Sequence, residues 1–209
     1  MPDSDTFPDW GVAMEISAFF IFAFIASVTP GPSNVLLTTV GAQVGVLRGM
    51  PALIGAALGT GLILFIVGLG LGATILENQT VLSVLRVVGM CAILWLAWAI
   101  ATAPVSKDTV QQDGALQFGF LPAILLQWVN PKAWIVSVSV VGTFMAVEGS
   151  VFEQAATLSL IFILAAVFGC LPWLVGGAAM RSLLQNLTIA RLFNVTLGFG
   201  LAASMITLI

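Results

Sequence analysis

Thr29-Pro30-Gly31-Pro32-Ser33-Asn34 cuts a hydrophobic run in two, with FFIFAFIASV before it and NVLLTTVGAQVG overlapping and following it. A second cut, Asn130-Pro131-Lys132, falls inside LQWVNPKAWIVSVSVV. Both runs are long enough to cross a bilayer, which takes about 20 mostly apolar residues. Proline removes a helical N–H and clashes with the preceding turn. In hydrocarbon the freed backbone groups are tolerated only where protein or a water-filled cavity satisfies them. Two matched broken helices therefore predict a polar site at membrane depth, an arrangement from which many transporters are built.

The composition agrees. The 209 residues are 60% hydrophobic and 7% charged, with a mean hydropathy of +1.14. Soluble domains carry about 25% charged residues, so the chain reads as an all-α integral membrane protein. The net charge of −3 is spread over loops, and no basic cluster suits a nucleic acid. Cys91 and Cys170 each stand alone in an apolar run, and there is no histidine. That pattern argues against a zinc site or metal cluster and leaves the cysteines as small core residues; no cofactor or metal is expected. The start, MPDSDTFPDWG, is acidic and lacks the positive n-region of a cleaved signal peptide. The first helix is thus expected to insert and remain, within a single polytopic domain over 1–209.

Six spans are expected. The first begins near Glu15, breaks at Pro30 and resumes. The second covers about 50–76, with Pro51 suited to a helix start. Gly55 and Gly59, four apart, lie on one face where another helix can pack closely. The third covers 81–101, and Trp95 and Trp98 near its end fit an interfacial aromatic belt. The fourth starts near Phe118 and breaks at Pro131, the fifth covers 153–180, and the sixth runs from about Leu192 to Ile209. Arg48, Lys107, Arg181 and Arg191 fall in loops on one side, against Arg86 on the other. The positive-inside rule then places both termini outside.

The offset from Pro30 to Pro131 also carries Gly41 onto Gly142 and Thr29 onto Asn130. Spans one to three then match spans four to six, as half-repeats of about 12–102 and 118–209. Three is odd, so the halves cross in opposite senses. This predicts a 3+3 inverted repeat with its site at the repeat interface.

The chemistry expected there follows from the breaks. At about 1.5 Å per residue, Pro30 lies roughly 22 Å along its run from Glu15, well inside the bilayer. A broken helix exposes carbonyls before the break and N–H groups after it. The N–H end suits a carboxylate and the carbonyl end an ammonium group or proton donor; a zwitterionic amino acid matches both. Lys132 within a span costs about 2.5–3.5 kcal/mol on insertion scales, so it should face a cavity, a carbonyl cluster or a substrate carboxylate. Thr29, Ser33, Asn34, Gln127, Asn130 and Lys132 are the candidate substrate-binding residues, and Pro30, Gly31, Pro32 and Pro131 the hinges. Ser33 is expected to cap its half-helix, and Asn34 and Asn130 to combine capping with binding. No aspartate lies within a span. Proton coupling would have to use Glu15, Lys132 or the substrate's own groups.

PGPSN, followed by a glycine-rich helix, and LQWVNPKAW together resemble the LysE/RhtB family of bacterial inner-membrane exporters of amino acids and their derivatives. RVVGMCAILWLAWAIATAP is similar to the family's third helix, and the resemblance covers nearly the whole chain. ILWLAWAIATAP and ALQFGFLPAILLQWVN look most like the branch exporting cysteine and O-acetylserine. The resemblance picks out Pro30, Gly31, Pro32, Asn34, Asn130, Pro131 and Lys132. Ser33 departs from the family's frequent asparagine. Thr60 stands where many relatives carry an ionisable residue in helix two. The implied function is a secondary exporter, not an enzyme, working by proton-coupled alternating access in the inner membrane. Its partners would be a small amino acid or derivative and membrane lipid, with no nucleic acid; homo-oligomerisation stays open. A transmembrane thiol–disulfide electron carrier is the main alternative, but it would need reactive cysteines at the breaks, where Thr29 and Asn130 stand. A metal-ion permease lacks the membrane carboxylates and histidines it would need.

Overall fold

The first hydrophobic run folds as two helices, α1 (Trp10–Val28) and α2 (Pro32–Ile66), and the fourth as α4 (Phe120–Val129) and α5 (Pro131–Phe144). Pro32 and Pro131 each occupy the first turn of the helix they open, where an N–H would have had no helical partner anyway. The computed structural model describes residues 10–71, 79–103, 119–146 and 148–203. Its other helices are α3 (Gln79–Ala101), α6 (Val151–Ala179) and α7 (Leu187–Ala203), giving seven α-helices among the described residues. A π-helical turn, Val67–Leu71, extends α2, and a 3-10 turn, Met180–Gln185, follows α6. Lys107, Glu77 and both chain ends lie outside the described residues.

α4 and α5 meet at a bend of 70°. Asn130 at the corner accepts the Lys132 backbone N–H at 3.1 Å through its side chain, capping α5. α2 is 35 residues long. Straight, it would measure about 52 Å, well beyond a hydrocarbon core of about 30 Å. Gly45 interrupts it at φ 80°, ψ 179°, a region open essentially to glycine alone. Pro51 therefore lies inside the helical segment that follows Gly45, not at its start. Pro32–Gly70 and Val151–Gln185 are long and apolar enough to cross a membrane, and the bent pair α4–α5 makes a third if it is one span. Glu15–Val28, Val87–Ala101 and Leu187–Ala203 are shorter apolar helices.

α2 sits at the centre, packed most extensively on α6 and then on α4 and α5; α1 lies on α6, and α3 on α7 and α4. Leu36, Leu37, Leu53, Ile93 and Leu174 are buried in one cluster, and Phe19, Leu64, Val140 and Phe162 in another. Trp95 and Trp98 face outward, 68% and 69% exposed, as lipid-facing side chains would. The Gly55–Gly59 face receives α4. A Cβ on Gly55 would run into the Phe120 carbonyl, and one on Gly59 would lie 2.7 Å from Gln127 Cγ. This close approach brings Gln127 to the breaks.

Candidate functional site

The two proline breaks, remote in sequence, meet in space. The Lys132 ammonium donates to the Thr29 carbonyl oxygen. Ser33 Oγ donates to Gln127 Oε1 at 2.8 Å and accepts from Asn130 Nδ2 at 3.1 Å. Gln127 Oε1 also faces Thr60 Oγ1 at 3.3 Å and Asn130 Nδ2 at 3.4 Å. Gln127 Nε2 is held by the Ala123 carbonyl at 3.0 Å, so its carbonyl oxygen is turned to the hydroxyls and to the Asn130 amide.

The carbonyls freed at the end of α1 are answered by side chains. Asn34 Nδ2 donates to the Ser27 carbonyl at 3.0 Å and the Thr29 carbonyl at 2.8 Å. Trp173 Nε1, from α6, donates to the Val28 carbonyl at 3.0 Å. Cys170 Sγ lies 3.6 Å from the Ser27 carbonyl and 3.5 Å from Asn34 Oδ1. Lys132 sits in the first turn of α5, where the helix dipole disfavours a cation; the negative end of α1 offsets this. Gly31 supplies the space, since a Cβ there would stand 3.1 Å from Lys132 Cδ. Its backbone is extended at φ −178°, so the requirement is room, not conformation.

Ser33 does not cap α2. The N-cap is Gly31, without a side-chain bond, and Ser33 lies two steps inside, aimed across at Gln127. Asn34 likewise serves the end of α1, while Asn130 both caps α5 and reaches Ser33. Thr29 takes part through its carbonyl alone, because its hydroxyl turns back to the Ile25 carbonyl at 2.7 Å. Pro30 is exposed between the helices.

These groups enclose a cavity of about 40 Å³, room for a few water molecules at about 10–15 Å³ each and less than an amino acid occupies. Ser33, Asn34, Thr60, Gln127, Asn130 and Lys132 line its polar side, and Ala57, Val136, Phe162, Ala166 and Cys170 its apolar side. Ser27, Trp173 and Phe162 belong to this site and were not singled out from sequence, and Cys170, expected only as a small core residue, belongs to it too. Ser27, three residues before the break, had a local signal. Cys170, Trp173 and Phe162 come from a remote helix with no polar pattern of its own. Cys170 is buried in the cavity wall and Cys91 is exposed on α3; neither is in a disulfide. Only one thiol thus stands at the breaks, where dithiol exchange needs two. Among the described residues no three His, Cys, Asp or Glu side chains are grouped to hold a metal ion.

The LysE type translocator family model matches residues 24–208. The cysteine/O-acetylserine efflux protein of Salmonella paratyphi A is 28% identical over 165 residues, covering 78% of this chain and 83% of that protein. Its namesakes in Escherichia coli K12 and Shigella sonnei are each 27% identical over 172 residues, covering 82% and 86%. No solved structure matches.

Proposed function

We propose an export function from one premise: the chain belongs to the LysE type translocator family, whose members are transporters and not enzymes. The substrate is a small amino acid or derivative of the cysteine or O-acetylserine kind, the substrates for which the relatives are named. Its carboxylate takes Lys132 from the Thr29 carbonyl, and its ammonium takes the carbonyls that end α1. Ser33, Asn34, Gln127 and Asn130 orient it, and Pro30, Gly31, Pro32 and Pro131 are the hinges. One observation carries this reading: the Lys132 ammonium reaches the Thr29 carbonyl, so both breaks share one polar cavity.

The chain works as a single polytopic unit in the bacterial inner membrane. Its six spans are α1 with 32–44, then 46–66, α3, α4 with α5, α6, and α7. They form the 3+3 inverted repeat of about 12–102 and 118–209. Pro32 and Pro131 each open the second helix of their broken pair. The halves rock about the shared cavity, which must widen to admit substrate. Proton exchange drives export through Lys132, Glu15 or the substrate's own ionisable groups, since no carboxylate among the described residues lines the cavity.

Counterflow in proteoliposomes tests this, with labelled cysteine, O-acetylserine and a panel of other amino acids, repeated under imposed pH gradients. Wild-type protein exchanges a small member of the panel. Lys132→Ala and Asn130→Ala lose exchange while still reaching the membrane. Wild-type exchange by both variants would reject this site.

A further inference from the structure

Ser137 and Ser159 are 1% and 5% exposed, and their hydroxyls have no hydrogen-bond partner among the described residues. This is not how the chain usually treats a hydroxyl inside a helix. Ser27, Thr38, Thr39, Thr60 and Ser139 all donate to the carbonyl four residues back. Ser139, two residues beyond Ser137, does so from an exposed face of the same helix. A buried hydroxyl left unpaired destabilises the fold relative to a satisfied one, and alanine would have avoided the cost at either position.

Their placement is directional. Ala133 and Phe162 line the cavity. Ser137 lies one helical turn past Ala133 toward the end of α5, and Ser159 one turn before Phe162 toward the start of α6. Those two helix ends are joined through residues 145–150, so both serines lie on the same side of the cavity. α2 reaches that end too: a Cβ on Gly68 would lie 2.8 Å from Ala155 Cβ and 3.5 Å from Met145 Sδ. Leu64 lies one turn past Thr60 and Val140 one turn past Val136, both cavity-lining residues, and the two are buried with Phe162 in one cluster on this side of the cavity. Past them, Phe144 packs on Phe19 and Phe22, with ring centroids 4.9 and 5.7 Å apart.

We infer that Ser137 and Ser159 line the substrate's route from the cavity to the α5–α6 end, a route closed in this conformation by Leu64, Val140 and Phe162. When that end opens, the two hydroxyls accept from the ammonium or donate to the carboxylate of a small zwitterion passing between α5 and α6. They meet the substrate after it leaves the cavity, so they govern passage and not capture. The inference rests on the export reading.

The test is counterflow over a range of substrate concentrations for Ser137→Ala, Ser159→Ala, the double variant and a Ser139→Ala control. Each single change lowers the maximal rate roughly three- to tenfold, the worth of one hydrogen bond, with half-saturation unchanged. The melting temperature in detergent holds or rises, because an unpaired buried group has been removed. Ser139→Ala transports normally. As a second readout, Ser137→Cys is labelled by a membrane-impermeant maleimide, mapped to its own peptide, and faster during turnover than without substrate. Wild-type flux matched by the double variant, or no labelling in either condition, overturns the inference alone. Failure of the wild-type chain to move any amino acid overturns the export reading and this inference with it.

Discussion

Asn34 and Lys132 reach the same carbonyl, that of Thr29, yet their roles separate on physical grounds. Asn34 also holds the Ser27 carbonyl, and both Asn34 and Ser27 are buried. Asn34→Ala removes the amide from three carbonyls at the end of α1, those of Ser27, Val28 and Thr29, and leaves the Ser27 carbonyl with only a thiol at 3.6 Å. The expected loss is about 1–3 kcal/mol, seen as a lower melting temperature in detergent. Lys132→Gln behaves differently. It removes a cation whose presence inside a span is itself costly, and the Thr29 carbonyl keeps Asn34 at 2.8 Å. Its melting temperature should match or exceed wild type while exchange is lost. Equal melting of Asn34→Ala and wild type would show that Asn34 is no clasp; a marked fall in Lys132→Gln would make Lys132 one.

At the scale of elements, Gly45 decides how α2 is divided. Its φ of 80° with ψ of 179° excludes a side chain without strain, so Gly45→Ala should cost about 1–3 kcal/mol. Gly142, in α5, has open space where a Cβ would go and ordinary helical backbone, so Gly142→Ala should be neutral or slightly stabilising. Thermal unfolding of the two variants side by side checks the contrast, and equal loss in both would remove the special role of Gly45. The broken runs and the Gly55–Gly59 spacing were legible in sequence because each is a local signal. Gly45 was not, since Gly41, Gly45 and Gly49 recur every four residues and any of them could end the first span. Pro51 misled for a related reason: a proline near the start of a helix loses one backbone bond without stopping it. The partners of Ser33 and Asn34 were hidden for another cause. Capping is the local option for such residues, and what won instead were contacts to Gln127 on α4 and to the carbonyls ending α1.

At the scale of the whole molecule, the exposed charged side chains among the described residues gather at two ends of the bundle, and this gives the fold a direction. The kink of α2 lies beside the end of α6: a Cβ on Gly45 would stand 3.7 Å from Arg181 Nη1. Arg48 is exposed just past that kink, and Arg191 is exposed near the start of α7. The other end carries exposed Glu148 and Glu153 around the α5–α6 turn, and Phe19 and Phe22 bring the first half of α1 to it. The positive-inside rule counts lysine and arginine near the span ends and gives little weight to carboxylates. On that rule we propose that the end holding Arg48, Arg181 and Arg191 faces the cytoplasm. In that proposal the α5–α6 turn and the start of α1 face outward, and the proposed six spans would return the C-terminus to the same side. A C-terminal alkaline phosphatase fusion should then be active and a C-terminal green fluorescent protein fusion dark. The basic residues are few, so the bias is small enough to move: Arg48→Gln with Arg181→Gln and Arg191→Gln should give a mixed population in which both reporters signal. A bright fluorescent fusion on the unmodified chain, with inactive phosphatase, would reverse the orientation and turn the Ser137–Ser159 route into the entry from the cytoplasm.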